Sequence, residues 1–427
     1  MRLPRKPPKV FYGWWIVFAC FVIALYMSGV VFYGFTALFE PIADEFGWSY
    51  TEISIAASIR GLEAGLLAPF VGLLVDRWGP RRLIFGGVVI IGLGLMLLSQ
   101  STSLGVFYAA FILMSLGISS CGLSVTVVAV ANWFRKRVGL ATGIMICGYG
   151  SSGLLVPVMV KLIDAYDWRT AVFILSLGML VICLPLSLLV RHKPEQYGYL
   201  PDGEVSSTVK IDESLVTPSA EEANIGAKQA MKTRTFWYIA LGLMPQFVVV
   251  PAVITHVMPY LSSIGIARAM SGLVATAIPL LSISGRFGLG WLGDKFNKRR
   301  KQLTASALIL LTLSLLCFEF TARGWVWLLV PFLPLFGFSY GGNVTMVGVL
   351  LREHFGRGRF GTIIGFMWGI LMLVSIAGPP IAGWAFDTRG SYQGVWLASA
   401  GIIFVGAVIV LMIPPVSITS RAKNGAS

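Results

Sequence analysis

Twelve long apolar runs divide this chain and leave few folds open to it. A helix needs about 20 mostly apolar residues to cross the hydrocarbon core of a bilayer. Because a helix satisfies its own backbone hydrogen bonds in lipid, we predict an all-α membrane protein with twelve transmembrane helices. The runs have approximate cores at residues 12–36, 51–75, 82–100, 104–131, 138–163, 169–190, 235–260, 270–293, 302–321, 325–351, 360–386 and 393–414.

The composition excludes several other classes of protein. Only 12% of the residues are charged, whereas a soluble domain carries about 25%. The net charge of +14 comes from basic residues between the apolar runs, so we expect a lipid bilayer as a partner and no nucleic acid. The five cysteines lie inside the runs without metal-binding spacing, and the sequence has no nucleotide-binding loop. We therefore expect no disulfide framework, no metal and no cofactor.

A polar stretch at residues 191–234 separates the first six runs from the last six. It is rich in Glu, Lys, Ser and Pro and lacks apolar periodicity, which is typical of a linker. We predict an N-terminal six-helix bundle at 1–190, a cytoplasmic linker at 191–234, and a C-terminal six-helix bundle with a short tail at 235–427.

The basic residues also predict the orientation in the membrane. Of the 33 Lys and Arg residues, 26 lie on the side of both termini, five lie on the other side, and Arg60 and Arg286 lie inside spans. Loops rich in Lys and Arg remain in the cytoplasm. We therefore predict a multi-pass protein of the cell (inner) membrane with both termini in the cytoplasm.

Two loops of the first half recur in the second half at a nearly constant offset. The segment at 72–82, after the second span, is matched by the segment at 290–300, which lies 218 positions later. The loop with Arg135 after the fourth span is matched by the loop with Arg357 after the tenth, 222 positions later. This offset indicates duplication of a six-helix unit.

The repeated loop resembles G-x-x-x-D-R/K-x-G-x-R-R, the signature of the major facilitator superfamily. The resemblance covers essentially the whole chain and implies two pseudo-symmetric six-helix bundles with a substrate site near the midplane. An Asp in such a loop accepts hydrogen bonds from a helix N-terminus or pairs with Arg. We predict a conformational latch, and the alternative is that the basic residues only set topology. The latch residues are Gly72, Asp76, Arg77, Arg81, Gly290, Asp294, Arg135 and Arg357.

Arg286 places a cation inside the eighth span, where a charge costs about 2.5–3.5 kcal/mol on insertion scales. It precedes Asp294 by eight residues, and so lies about 12 Å from the cytoplasmic end of the helix. A guanidinium binds a carboxylate through two parallel hydrogen bonds, so we predict that Arg286 binds an anionic substrate. The alternatives are a pair with Glu63 or with backbone carbonyls.

The segment at 284–294 resembles the eighth helix of the monocarboxylate porters and the oxalate–formate antiporters, and residues 12–15 and 33–35 resemble their first helix. In those families the matching Arg binds the substrate carboxylate. The chain departs from them at three positions. Animal monocarboxylate porters carry Lys and Asp at the positions of Ala37 and Ser282, and oxalate antiporters carry Lys near the position of Leu371. Because one fixed cation suits one carboxylate, we favour monoanions over dianions.

Three ionisable side chains within spans are candidates for proton coupling. Arg60 and Glu63 are three residues apart and can meet on one face of the second span. They form either an internal ion pair or a site where Glu63 carries a proton. His256 in the seventh span either carries a coupling proton or packs as a hydrogen-bonded residue.

In the superfamily, the first, fourth, seventh and tenth helices line the substrate cavity. Polar side chains on the corresponding spans can hydrogen-bond a carboxylate or a hydroxyl, although a serine also mediates close helix packing. With Arg286, the predicted substrate-binding residues are Tyr33, Ser120, Ser124, Gln246, Tyr340 and Asn343.

These features together predict a secondary transporter of small monocarboxylates such as lactate- or pyruvate-like anions. The two halves would rock about Arg286, with a proton or a counter-anion as the coupled species. One alternative is an oxalate or dicarboxylate exchanger, for which Arg60 would supply the second cation. Another is a transport-incompetent membrane sensor. We do not expect an enzyme, since the sequence offers no nucleophile–base or metal constellation.

Overall fold

The computed structural model describes residues 11–134, 137–192, 194, 227–356 and 360–414. Side chains at 62–70, 72, 73, 76, 227, 228, 297 and 360 are outside this description. Within the described residues all regular secondary structure is helical, with no β-strand. The prediction of an all-α membrane protein is therefore confirmed.

The chain forms two compact units. The first comprises Met1–Gly47 and Leu62–Val209, and the second comprises Trp48–Gly61 and Lys210–Ser427. The helix Tyr50–Trp78 thus begins in the second unit and continues in the first.

Several helices of the first half are short segments joined end to end. Two π-helical turns, Ser28–Tyr33 and Met179–Cys183, and one 3₁₀ turn, Ser152–Leu154, connect several of them. The helices are α1 (Tyr12–Met27), α2 (Phe35–Phe46), α3 (Tyr50–Trp78), α4 (Pro80–Ser99), α5 (Leu104–Cys121), α6 (Leu123–Ala131), α7 (Val138–Ser151), α8 (Leu155–Ala165), α9 (Trp168–Gly178) and α10 (Leu184–Leu189).

The helices of the second half are longer and mostly continuous. They are α11 (Ala227–Met231), α12 (Arg234–Ser263), α13 (Arg268–Lys295), α14 (Arg300–Thr321), α15 (Leu329–Phe355), α16 (Phe360–Ser375), α17 (Gly378–Arg389) and α18 (Val395–Leu411). The predicted eleventh span is divided into α16 and α17. Pro379 and Pro380 lie in the first turn of α17, where a missing N–H leaves no helical hydrogen bond unmade.

Ten helical segments of the described chain are long and apolar enough to cross a membrane. The first of them, Tyr12–Phe46, extends ten residues beyond the predicted end of the first span. Helix α3, with 29 residues, and helix α18, with 17, correspond to the two remaining predicted spans. The twelve helices of the predicted fold are thus accounted for.

An aromatic cluster forms the core of the second unit near the start of α18. The Phe318 ring stacks on Phe332, with centroids 4.4 Å apart, and also contacts Tyr260 and Trp396. All four side chains are buried. The Tyr392 ring extends the cluster by stacking on Trp396. This packing fixes the loop between α17 and α18, from which Tyr392 reaches the residues described below.

Candidate functional site

Arg286 lies on α13 beside a close contact between two helices of the second unit. A Cβ atom added to Gly285 would collide with the Phe338 carbonyl oxygen, and one added to Gly341 would collide with the Ser282 carbonyl oxygen. The backbones of α13 and α15 are therefore in direct contact, which only glycine permits. This contact fixes the position of the Arg286 backbone relative to α15.

The Arg286 side chain is partly exposed, but its Nε atom is buried and has no hydrogen-bond partner among the residues that the structure describes. No carboxylate of the described residues forms an ion pair with it. Ser282, one turn earlier, is buried and donates its hydroxyl to the Pro279 carbonyl at 2.6 Å. Glu63, the alternative partner, has its side chain outside the described part of the structure. Among the described residues, the buried Nε atom of Arg286 is thus an unsatisfied donor.

His256 on α12 is fully buried, and both ring nitrogens have partners. Its Nε2 lies 2.9 Å from the Pro379 carbonyl oxygen and 3.0 Å from Ser54 Oγ, while its Nδ1 lies 2.8 Å from Tyr392 Oη. Ser54 donates its own proton to the Tyr50 carbonyl. The network therefore assigns the proton to Nε2, with Nδ1 accepting from Tyr392. A neutral imidazole satisfies every one of these contacts.

The start of α3 is held by Asp387 at the end of α17. The Asp387 carboxylate accepts the Tyr50 and Thr51 backbone N–H groups at 2.9 and 2.8 Å, and also the Thr51 hydroxyl. The Tyr50 ring stacks on Phe386, with centroids 4.4 Å apart. A carboxylate at a helix N-terminus also interacts favourably with the helix dipole. The sequence pattern does not predict this cap, although Asp387 lies 223 positions after Asp164, close to the offset of the repeated loops.

Two predicted lining residues, Gln246 and Asn343, lie in the interior of the second unit. They are 1% and 0% exposed, and neither Gln246 Oε1 nor either amide atom of Asn343 has a hydrogen-bond partner. Asn343 is two positions from Gly341, so it points about 200° around α15 from that residue. It shares its face with the buried Phe336 and Ser339 rather than with the contact to α13. The α13–α15 contact therefore does not bring Asn343 to Arg286.

The other predicted lining residues have different environments. Ser120 donates its hydroxyl to the Leu116 carbonyl of its own helix, and Ser124 is exposed. Tyr33 is buried at the end of the first π-helical turn, and Tyr340 on α15 is partly exposed. The π-helical turn itself was not predicted, and such turns are frequent at functional sites.

The structure describes the side chains of only some of the residues predicted to act in proton coupling or in the latch. Arg60 is 6% exposed on α3. Arg77, Arg81 and Asp294 are exposed, and a Cβ atom added to Gly290 would lie 3.7 Å from Thr345. Outside the description are the side chains at Glu63, Gly72 and Asp76, and residues Arg135 and Arg357 altogether.

The structure resembles a solved transporter over most of its length. The similar structure is a bacterial homologue of the human lysosomal transporter Spinster, in an inward-facing and unoccupied conformation. The TM-score is 0.66, the sequence identity is 15%, and 95% of each chain is covered. At this identity the similarity shows the fold.

Curated relatives share about a quarter of their residues with this chain. Monocarboxylate transporter 12-B of Danio rerio is 26% identical, covering 98% of this chain and 90% of that protein. Human monocarboxylate transporter 12 is 26% identical, covering 95% and 81%. The MFS-type transporter YcxA of Bacillus subtilis is 26% identical, covering 98% of both chains.

Residues 14–379 also match the family described as the Major Facilitator Superfamily. That match covers most of the chain and includes Arg286, the α13–α15 contact and both copies of the repeated loop. The helical architecture, the solved structure and the curated relatives all agree with it. The chain is therefore a multi-pass membrane transport protein of the major facilitator superfamily.

Proposed function

We propose that this chain is a secondary transporter of small monocarboxylates, such as lactate- or pyruvate-like anions, and that Arg286 binds the substrate carboxylate. The observation that carries this proposal is the buried Arg286 Nε without a hydrogen-bond partner. A buried donor left unsatisfied costs about 1–3 kcal/mol, and more if charged. A bound carboxylate would satisfy it and neutralise the guanidinium.

Two further points favour a monoanion. Ser282 and Ala37 are uncharged at positions where related porters carry ionisable residues. Arg286 would therefore be the one cation at these positions that pairs with the negative charge of the substrate. The relatives named monocarboxylate transporters agree with this substrate class. The second candidate is an oxalate or dicarboxylate exchanger, and the buried Arg60 would then supply the second cation.

The coupled species is a proton or a counter-anion. The His256 network supports a structural role for that residue, because both of its ring nitrogens already have partners. Glu63 and Arg60 remain the coupling candidates. In addition to Arg286, Tyr33 and Tyr340 are candidates for contacts to the substrate, and on α15 the partly exposed Tyr340 is a stronger candidate than the fully buried Asn343.

We place both termini in the cytoplasm and the protein in the cell (inner) membrane, from the distribution of Lys and Arg. The two six-helix halves would then alternate between the two sides of the membrane. The repeated loops with Asp76 and Asp294 would form the cytoplasmic latch, and residues 191–234 would link the halves.

The experiment is uptake into proteoliposomes containing the purified protein. Labelled L-lactate, pyruvate, oxalate and a neutral sugar are compared, with and without an imposed pH gradient. The proposal expects uptake of the monocarboxylates and none of the sugar. Stimulation by an inward proton gradient indicates symport, while stimulation by internal unlabelled acid indicates exchange. Preferential uptake of oxalate would favour the second candidate, and uptake of none of the acids would contradict both.

A further inference from the structure

Five cations lie where α13 ends and α14 begins, at positions 295 and 298–301. Two of them form contacts with other groups of the protein. Arg300 Nε donates to the Gly293 carbonyl at 3.0 Å, and Arg300 Nη1 lies 4.0 Å from Glu353 Oε2. Lys301 Nζ donates to the Ile413 carbonyl at 2.9 Å. These two cations cap the C-terminal ends of helices and are not available to a ligand.

The other three cations, Lys295, Lys298 and Arg299, are exposed. No carboxylate among the described residues forms an ion pair with them. Lys295 Nζ lies 4.8 Å from the centroid of the Trp291 ring, which orients it along the outer face of α13. Three positive charges are therefore presented together at one end of a membrane-spanning helix.

An aromatic stripe leads along α13 to these cations. Phe287, Trp291 and Lys295 are spaced four residues apart and so share one face of the helix. The Phe287 and Trp291 side chains are each 60% exposed, so they face the surroundings of the helix and not its neighbours. Trp is enriched at the membrane–water interface, where Lys side chains extend toward the head groups. This face of α13 thus combines an apolar surface with a cationic end.

We propose that Phe287, Trp291, Lys295, Lys298 and Arg299 form an anionic-lipid surface that binds one anionic phospholipid. The lipid phosphate would lie among the three cations, and an acyl chain would lie along the two aromatic rings. Charge complementarity selects this occupant, because each Lys or Arg near an anionic lipid increases binding by about fivefold. A zwitterionic lipid gains little from the cations, and free phosphate gains nothing from the rings.

The repeated loop of the first half provides a matched control. Arg81 and Arg82 occupy the positions equivalent to Arg299 and Arg300, and both are exposed. The residue equivalent to Trp291 is Leu73, so the counterpart lacks the aromatic ring at that position. A double substitution there removes the same charge without removing the proposed binding surface.

The test is native mass spectrometry of the purified full-length protein, titrated with phosphatidylglycerol, phosphatidylcholine or inorganic phosphate. The wild-type protein should retain one phosphatidylglycerol in preference to phosphatidylcholine. The double substitution K298Q/R299Q should weaken phosphatidylglycerol binding by about twentyfold. W291A, tested by itself, should also weaken phosphatidylglycerol binding although it keeps all the charges. The control R81Q/R82Q should have a much smaller effect.

Three results would overturn the proposal. They are equal retention of phosphatidylcholine, an equal loss in R81Q/R82Q, and full competition by inorganic phosphate. Thermal unfolding of each variant checks that it is folded. The measurement does not involve substrate, so its result is independent of the proposed transport function.

Discussion

Two buried polar groups of the second unit, the His256 ring and the Nε atom of Arg286, differ in their hydrogen-bond partners. Around His256 every ring nitrogen has a partner within 3.0 Å, and those partners come from three other segments of the chain. At Arg286 the Nε atom is equally buried and has none. Buried polar groups in folded proteins are nearly always satisfied. The contrast indicates a structural role for His256, and it fits the proposal that a bound carboxylate supplies the acceptor for Arg286.

The largest expected effect comes from removing the guanidinium. Arg286→Ala should reduce monocarboxylate uptake by at least about 100-fold, since it removes two charge-assisted hydrogen bonds worth about 1.5–3 kcal/mol each. The melting temperature should not fall, because the Arg286 side chain forms no ion pair with a described residue and its buried Nε has no partner there. Initial uptake rates in proteoliposomes and thermal unfolding in detergent check the two halves of this prediction.

Arg286→Lys serves as its control. It preserves the charge but not the planar fork, so uptake should be intermediate between the wild type and the alanine variant. Full activity in Arg286→Ala would remove the anion-site assignment. A large loss of stability in that variant would instead show that Arg286 has a structural partner, which would end the contrast with His256.

The opposite pattern is expected at His256. His256→Leu leaves the Pro379 carbonyl, Tyr392 hydroxyl and Ser54 hydroxyl without their shared partner, which should cost about 2–4 kcal/mol of stability. The variant should unfold at a lower temperature while each folded molecule still binds the carboxylate with unchanged affinity. Thermal-shift titration with the transported acid measures both quantities.

His256→Asn, which retains a donor and an acceptor, should recover part of the stability. A different result would contradict the structural interpretation of His256. If His256→Leu were as stable as the wild type but lost only uptake driven by a proton gradient, the residue would carry the coupling proton.

The sequence predicts the cation at Arg286, but it predicts almost none of the hydrogen bonds around His256. Arg286 is conspicuous because a charge within an apolar run is costly, and this can be deduced from a single residue. The His256 network joins residues 202, 123 and 136 positions apart, and hydropathy carries no information on such pairings. The twelve spans follow from residue composition. The Asp387 cap and the π-helical turns depend on how particular helix ends pack.

A smaller effect is expected from the contact that positions Arg286. Gly341→Ala would force α15 away from the Ser282 carbonyl, one turn before Arg286. Overpacking of this kind costs about 1–3 kcal/mol, and the displaced guanidinium should raise the KM for uptake by roughly tenfold. Substrate-dependence curves for uptake provide the measurement.

Gly242→Ala is the matched control for Gly341→Ala. A Cβ atom at Gly242 would press on the Val410 side chain of α18 and not first on a backbone carbonyl, so this variant should lose stability, but less than Gly341→Ala. Because the contact between α12 and α18 does not include Arg286, its KM should remain unchanged. Equal KM changes in both variants would show that the effect comes from general destabilisation and not from displacement of Arg286.

The smallest effects concern two carboxylates that cap helices. Asp387 accepts N–H groups from the distant α3, whereas Asp167 accepts the Thr170 N–H at 2.7 Å and the Thr170 hydroxyl at 2.8 Å on its own helix α9. Asp387→Ala should cost about 0.5–2 kcal/mol, typical of a lost N-cap. Asp167→Ala should cost less, because Asp167 is exposed and bonds only within its own helix turn.

The Asp167 cap should also depend on pH. The hydrogen bonds from Thr170 hold the pKa of the Asp167 carboxyl below its usual value. A carboxyl with a lowered pKa stabilises the folded state above the pKa of the unfolded chain, and this stabilisation disappears as the pH falls through the lowered value. The difference in melting temperature between wild type and Asp167→Ala should therefore be constant near neutral pH and shrink in acid. A difference that persists in acid would show that the Asp167 side chain stabilises α9 through packing instead of through its charge.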